Sequence, residues 1–297
     1  MDGFSSEFVE TGEARIFLRR KGSGTPLLLL HGFPQTHLMW RDCAPLLAEE
    51  FTVVCADLRG YGASSCPHSA PDHGPYGKRA LARDMVTVME RLGFRRFHLA
   101  GHDRGGRVAY RMALDHPDRI AKLAVLDILP TAEAWERADA RFALGFWPWT
   151  LLAQPAPLPE RLLASAPDAI VDSALAGWGT AATAFPPSVR EAYIAALRAP
   201  GHIHAICEEY RAAAGLDREH DREDRRNGRR IACPVLALWS AEGALARWYE
   251  ADGGPLAIWR RWADTVEGAG VAGGHFFPEE HPMATAEALR GFFLDPA

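Results

Sequence analysis

Short, continuously apolar runs alternate along this chain with stretches whose apolar positions recur at helical spacing. Pro26-Leu-Leu-Leu-Leu30 leads into His31-Gly32, and the run Phe51 to Leu58 leads into Arg59-Gly60-Tyr61-Gly62, so each reads as a buried strand ending in a turn. Phe97-His-Leu-Ala100, Lys122 to Leu126 and Pro234 to Trp239 repeat the pattern. Between the second and third runs, Leu81, Met85, Val88, Met89 and Leu92 fall on one helical stripe that Gly93 stops, and a further helix begins at Val108. Strands that are apolar throughout are covered on both faces. The pattern therefore predicts an α/β fold with a mostly parallel central sheet flanked by helices. Past Pro130 the texture changes to Trp, Ala and Pro-rich helical segments with no convincing strand, until strand character returns at Pro234. The expected organisation is an α/β core of residues 1–130 and 223–297 around an inserted helical cap, residues 131–222.

The bulk numbers exclude more than they assign. The chain has 297 residues, 48% hydrophobic and 24% charged, within the range of a single large α/β unit with an insertion. A net charge of -5 gives no electrostatic footprint for nucleic acid or an acidic membrane. Five cysteines, scattered and never in a C-x-x-C pair, indicate neither a disulfide framework nor a zinc site. The first ten residues lack an apolar signal core and no apolar run could span a bilayer, so the expected compartment is the cytoplasm.

Chemistry enters at Gly101-His102-Asp103-Arg104-Gly105-Gly106, between a predicted strand and a predicted helix. This is the small-x-nucleophile-x-small pattern of the α/β-hydrolase elbow, where small neighbours let strand and helix approach around a strained turn. Serine usually occupies the central position. Here it is Asp103, whose carboxylate is nucleophilic without a base and can leave as an ester. The plainer reading is a helix N-cap. Hydrolysing an aspartyl ester needs a base and a group to orient it. Of twelve histidines, His275 in Gly273-Gly274-His275-Phe276 lies late in the chain, where this fold carries its histidine. Asp127, directly after a predicted strand, is favoured as the orienting acid, with Glu242 as its rival. His31-Gly32-Phe33-Pro34 supplies a turn whose Phe33 N–H, with the N–H of Arg104, could form an oxyanion hole. Arg104 and Arg107 follow the nucleophile at its +1 and +4 positions, and guanidinium forks match carboxylates.

Taken together, Gly101-His-Asp-Arg-Gly-Gly-Arg107, His31-Gly-Phe-Pro-Gln-Thr-His37, Leu126-Asp-Ile-Leu-Pro130, Leu152-Ala-Gln-Pro155, Cys207-Glu-Glu-Tyr-Arg211 and Gly274-His-Phe276 make the chain resemble haloacetate dehalogenases, whose best-known members act on fluoroacetate. The likeness runs through nearly the whole chain, cap included. It implies a hydrolase that converts 2-haloacids to 2-hydroxyacids through an ester on Asp103, with no metal or organic cofactor, and it implies a homodimer. It assigns the catalytic residues to Asp103, Asp127 and His275, the carboxylate clamp to Arg104 and Arg107, and halide binding to Trp149 and Tyr210. The family's halide-binding histidine falls on Pro148, which has no donor, so C–Cl and C–Br bonds are expected to be cleaved more readily than C–F. Two rival readings stand beside it. An epoxide hydrolase would use the same nucleophile with two cap tyrosines, for which Tyr193 and Tyr210 are available. A non-catalytic small-ligand receptor could keep the same residues.

Overall fold

The computed structural model describes residues 1–295. One eight-stranded sheet runs in the order β1-β2-β4-β3-β5-β6-β7-β8. Its strands are β1 (Ser5–Glu10), β2 (Arg15–Lys21), β3 (Thr25–Leu30), β4 (Phe51–Ala56), β5 (Phe97–His102), β6 (Ile120–Leu126), β7 (Val235–Ser240) and β8 (Val266–Val271). β1 and β2 pair antiparallel, as do β2 and β4; every other neighbouring pair is parallel.

Alternation along each strand divides the apolar residues between two cores. Leu28, Leu30, Val54, Leu99 and Val125 face one side, and Leu27, Leu29, Val53, Ala100 and Leu126 the other. The first side is covered by the helices Lys78–Arg91 and Asp103–Asp115, the second by Cys43–Leu47 and Pro282–Leu294. Each fully buried leucine contributes about 1.5–3 kcal/mol, so strands of this composition are stable only inside such a sandwich.

Three strands escape the apolar-run criterion. β1 and β2 form an edge hairpin with alternating exposure, Phe8 at 45%, and charged residues on the open face. β8 is the opposite edge, carrying Glu267, Gly268 and Gly270 where a central strand would carry branched residues. The helix expected from Val108 begins five residues earlier, at Asp103 itself. From Thr131–Glu136 to Leu216–Arg226, between β6 and β7, every described element is helical. Among the described residues no helix is long and apolar enough to cross a membrane.

The parallel order has one consequence for chemistry. β3, β5, β6 and β7 are neighbours, and at their carboxyl ends lie Phe33, Asp103, Asp127 and Ser240. Side chains distant in sequence converge there.

Candidate active site

Asp103 opens its helix with φ +44°, and Asp127 leaves β6 with φ +51°. Left-handed backbone is costly for a residue with a Cβ, and the surroundings must hold it. They do so by close approach. A Cβ on Gly105 would collide with the carbonyls of Leu30 and His31, and one on Gly32 would meet the Asp103 carboxylate. The Phe33 N–H donates to Asp103 Oδ2 at 3.0 Å. Its loop is braced by His31, whose Nδ1 donates to the Gly32 carbonyl (2.9 Å) while Nε2 accepts from the Leu58 N–H (3.1 Å).

The Asp127 carboxylate divides its two oxygens. Oδ1 accepts from the Ser240 N–H at 2.9 Å, and Oδ2 accepts from His275 Nδ1 at 2.6 Å. Burial of the His275 ring disfavours the imidazolium, but the hydrogen bond and charge of Asp127 and the charge of Asp103 outweigh it, so its pKa lies above the usual 6.5. Burial likewise opposes ionisation of Asp103, yet His275 and the two arginines hold its carboxyl below the ordinary range. Two further contacts fix the histidine. Its backbone N–H donates to the Trp178 carbonyl (2.8 Å), and its own carbonyl accepts from His102 Nε2 (2.8 Å).

Asp103, Arg107, Asp127, Trp149, Tyr210 and His275 line one small cavity, closed by Phe146, Pro148, Trp178 and Leu245. The centre of a water-sized body has about 20 Å³ in it, room for roughly one or two waters. A second cavity of about 630 Å³ adjoins it, sharing Asp127, Phe146, Trp178 and His275. The arginines part company. Arg107 reaches the small cavity, its guanidinium 4.2 Å from the centre of the Trp149 ring, with Nη1 donating to the Leu129 carbonyl at 2.7 Å. Arg104 does not line the cavity; it lies 3.9 Å over the Tyr210 ring and pairs with Glu209. Arg104 Nη1 and Arg107 Nε are buried with no hydrogen-bond partner among the described residues. Burial and the neighbouring Arg104 charge lower the pKa of Arg107, which forms no ion pair among the described residues, whereas Arg104 is paired with Glu209.

Residues 25–252 match the family model of the alpha/beta hydrolase fold. A curated fluoroacetate dehalogenase of Burkholderia sp is 46% identical over 99% of this chain and 95% of its own length. The chain belongs to the haloacetate dehalogenase family of the α/β-hydrolases. It shares 32% identity with a soluble epoxide hydrolase of Corynebacterium sp. (strain C12), over 92% of the chain and 91% of that protein. A crystal structure of an inferred alpha/beta hydrolase from Nostoc sp PCC 7120 is 48% identical, covers 99% of both chains and superposes with a TM-score of 0.95.

Within this haloacetate dehalogenase framework, Glu242 is exposed on the rim of the larger cavity, whereas Asp127 is the carboxylate bonded to His275. Tyr193 is turned away from the small cavity, its hydroxyl donating to Glu279 at 2.9 Å. Pro148 lines the cavity and Trp147 is not among its lining residues. Sequence reasoning missed Phe146, Trp178 and Leu245 as walls and Glu209 as the partner of Arg104. A glutamate one residue before Tyr210 was visible, but no pattern in the chain ties it to the elbow. Among the described residues no cluster of three or more His, Cys, Asp or Glu side chains is spaced to hold a metal ion.

Proposed function

We propose that this chain hydrolyses 2-haloacids of haloacetate size to 2-hydroxyacids and halide through an ester on Asp103. The carrying observation is that an elbow carboxylate, a His–Asp pair and a buried guanidinium line one small cavity. A neutral substrate would leave the Arg107 charge without an ion-pair partner; a haloacid brings its own counter-charge.

In the first step Arg107, on the cavity wall, and the unpartnered Nη1 of Arg104, which reaches past the Tyr210 ring as the acid enters, hold the substrate carboxylate, so that the halogen-bearing carbon faces Asp103. An Asp103 oxygen attacks that carbon, the new C–O bond forms, and the C–X electron pair leaves with the halide. The Trp149 indole N–H and the Tyr210 hydroxyl receive the halide. In the second step His275, oriented by Asp127, takes a proton from water as that water adds to the Asp103 carboxyl carbon. The oxyanion forms on the oxygen that the Phe33 N–H already contacts, with the Arg104 N–H as second donor. Collapse expels the hydroxyacid alkoxide, which recovers the proton from His275, and Asp103 retains one oxygen from water and releases that water's second proton to solvent.

Pro148 sets the halide preference. Charge on the departing halide is most concentrated for fluoride, and a wall position without a donor penalises C–F cleavage most. We therefore place chloroacetate and bromoacetate ahead of fluoroacetate. The epoxide hydrolase reading would need two tyrosine hydroxyls on the cavity, and Tyr193 is committed to Glu279. Halide release from chloroacetate, run beside diol formation from a small neutral epoxide, is the test. Epoxide opening without halide release refutes the proposal. Neither activity, with the acid still bound, would favour a ligand receptor.

A further inference from the structure

The densest buried charge outside the cavity lies directly behind Arg104. Glu209 on the helix His202–Ala214 is fully buried and accepts from Arg104 Nε at 2.9 and 2.8 Å, one distance to each oxygen, and from Nη2 at 2.6 Å. The Tyr61 hydroxyl donates to it at 3.1 Å, and the Lys78 ammonium pairs with it. Lys78 also lies 3.6 Å from Asp217 Oδ2, while Asp217 Oδ1 accepts the Lys78 backbone N–H at 2.7 Å. The signs alternate along the row: Arg104, Glu209, Lys78, Asp217. Arg104, Lys78 and Tyr61 belong to the sheet-bearing part of the chain, and Glu209 and Asp217 to the helices inserted between β6 and β7.

Stability alone is a poor reason for this row. Buried ion pairs seldom outperform apolar side chains of equal volume, because both charges must be stripped of water. What the charges do accomplish is geometric. Glu209 takes the Nε/Nη2 edge of the Arg104 fork and leaves Nη1, with its two N–H groups, as the one nitrogen without a partner, beside the Tyr210 ring. Arg104 alone could swing its whole fork toward Asp103 and quench the nucleophile. The next residue along the helix from Glu209 is Tyr210, a wall of the cavity, so one helical turn fixes both the arginine and the wall.

We propose that Glu209 is a positioning residue for acid recognition: by clamping one edge of Arg104 it leaves Nη1 alone to meet the substrate carboxylate. It thereby makes recognition depend on the inserted helices being seated. This rests on the haloacid reading above, and the test separates the two. Glu209→Gln keeps the shape and loses the charge. Because it leaves Arg104 and Lys78 as two buried cations, the double variant Glu209→Gln with Lys78→Met, which removes one charge of each sign, is read alongside it. Glycolate affinity is measured by calorimetry, and KM and kcat are measured for chloroacetate and for neutral chloroacetamide.

The expected result in both variants is a rise of about tenfold in glycolate Kd and in chloroacetate KM, the loss of roughly one charge-assisted hydrogen bond. Chloroacetamide kcat/KM should fall far less, and Arg104→Lys should not restore acid preference. Unchanged glycolate affinity, or equal losses on acid and amide in the double variant, overturns the inference. Wild-type protein that binds glycolate but releases no halide refutes the dehalogenase function, yet its comparison with the variants still decides the role of Glu209. Wild-type protein that binds no glycolate overturns the positioning role outright.

Discussion

Replacing Arg107 by methionine separates an acid-binding site from a merely charged one. The side chain is buried, reaches the small cavity, rests 4.2 Å over Trp149 and gives Nη1 to the Leu129 carbonyl. In Arg107→Met a haloacid carboxylate must enter beside Asp103 with only Arg104 Nη1 to meet it. Removing one partner of a buried pair costs about 3–5 kcal/mol. At 1.36 kcal/mol per factor of ten, kcat/KM for chloroacetate should fall by roughly two to nearly four powers of ten. Chloroacetamide carries no charge and loses one hydrogen bond, a cost of about 1 kcal/mol or roughly fivefold. The fold bears a separate cost, because the Leu129 carbonyl loses its donor, at about 1–3 kcal/mol. Relief of the repulsion between the two arginines offsets part of it. Steady-state kinetics on both substrates, with urea unfolding of each variant in parallel, gives the comparison. Equal losses on acid and amide in a variant that remains folded would refute the carboxylate clamp.

Four other outcomes are expected. His275→Asn should still be alkylated by chloroacetate, and peptide mass spectrometry should find the acid on Asp103; modification at another carboxylate refutes the nucleophile. Asp127→Asn should lower kcat by about 10³–10⁴, as when a histidine's orienting acid is removed elsewhere, whereas Glu242→Gln should stay near wild type; the reverse order would make Glu242 the acid. Pro148→His should raise the fluoroacetate-to-chloroacetate rate ratio, read as fluoride and chloride release under identical conditions, and a wild type that already defluorinates as fast as it dechlorinates removes the rationale. Because base catalysis needs neutral His275, whose pKa is raised, kcat should fall as pH drops through that raised value while ester accumulates on Asp103; a flat profile with no ester accumulation would contradict this.

Legibility followed burial. β3, β4, β5, β6 and β7 could be read because a strand covered on both faces has no polar register to disguise it. β1, β2 and β8 could not, since an edge strand tolerates charge and glycine and so looks like loop. The elbow was legible because Gly101, Gly105 and Gly106 are required by backbone contacts, which constrain residue type strictly. Asp127 was legible as the end of a buried run. The cavity walls were not: Phe146, Trp178 and Leu245 need only be large and apolar, a demand met at many positions. Arg104 shows a different limit. Its place after Asp103 was evident, but the direction of its fork depends on Glu209, more than a hundred residues away, and on the packing of an inserted helix against the elbow.

The proposed cycle asks opposite things of one histidine, and the buried charges bear on both. In the resting site His275 stands between two carboxylates, and together they outweigh the cost of burying an imidazolium. That state suits the first step, where His275 need not act as a base and the cationic surroundings keep Asp103 ionised. Alkylation then converts Asp103 to a neutral ester. One of the two charges that raised the His275 pKa vanishes, while the acid's own carboxylate, now tethered through the ester, offsets the Arg107 charge that lowers it. The two changes act on His275 in opposite directions, so its proton is set by the balance of Asp127, Arg107 and the bound acid. Asp127 does not change through the cycle; its Ser240 N–H contact and its bond to Nδ1 keep Nε2 as the nitrogen that exchanges the proton. An aspartate nucleophile thus does something a serine in the same elbow would not. It gives up its own negative charge on alkylation, while the acid it has captured places another against the arginines.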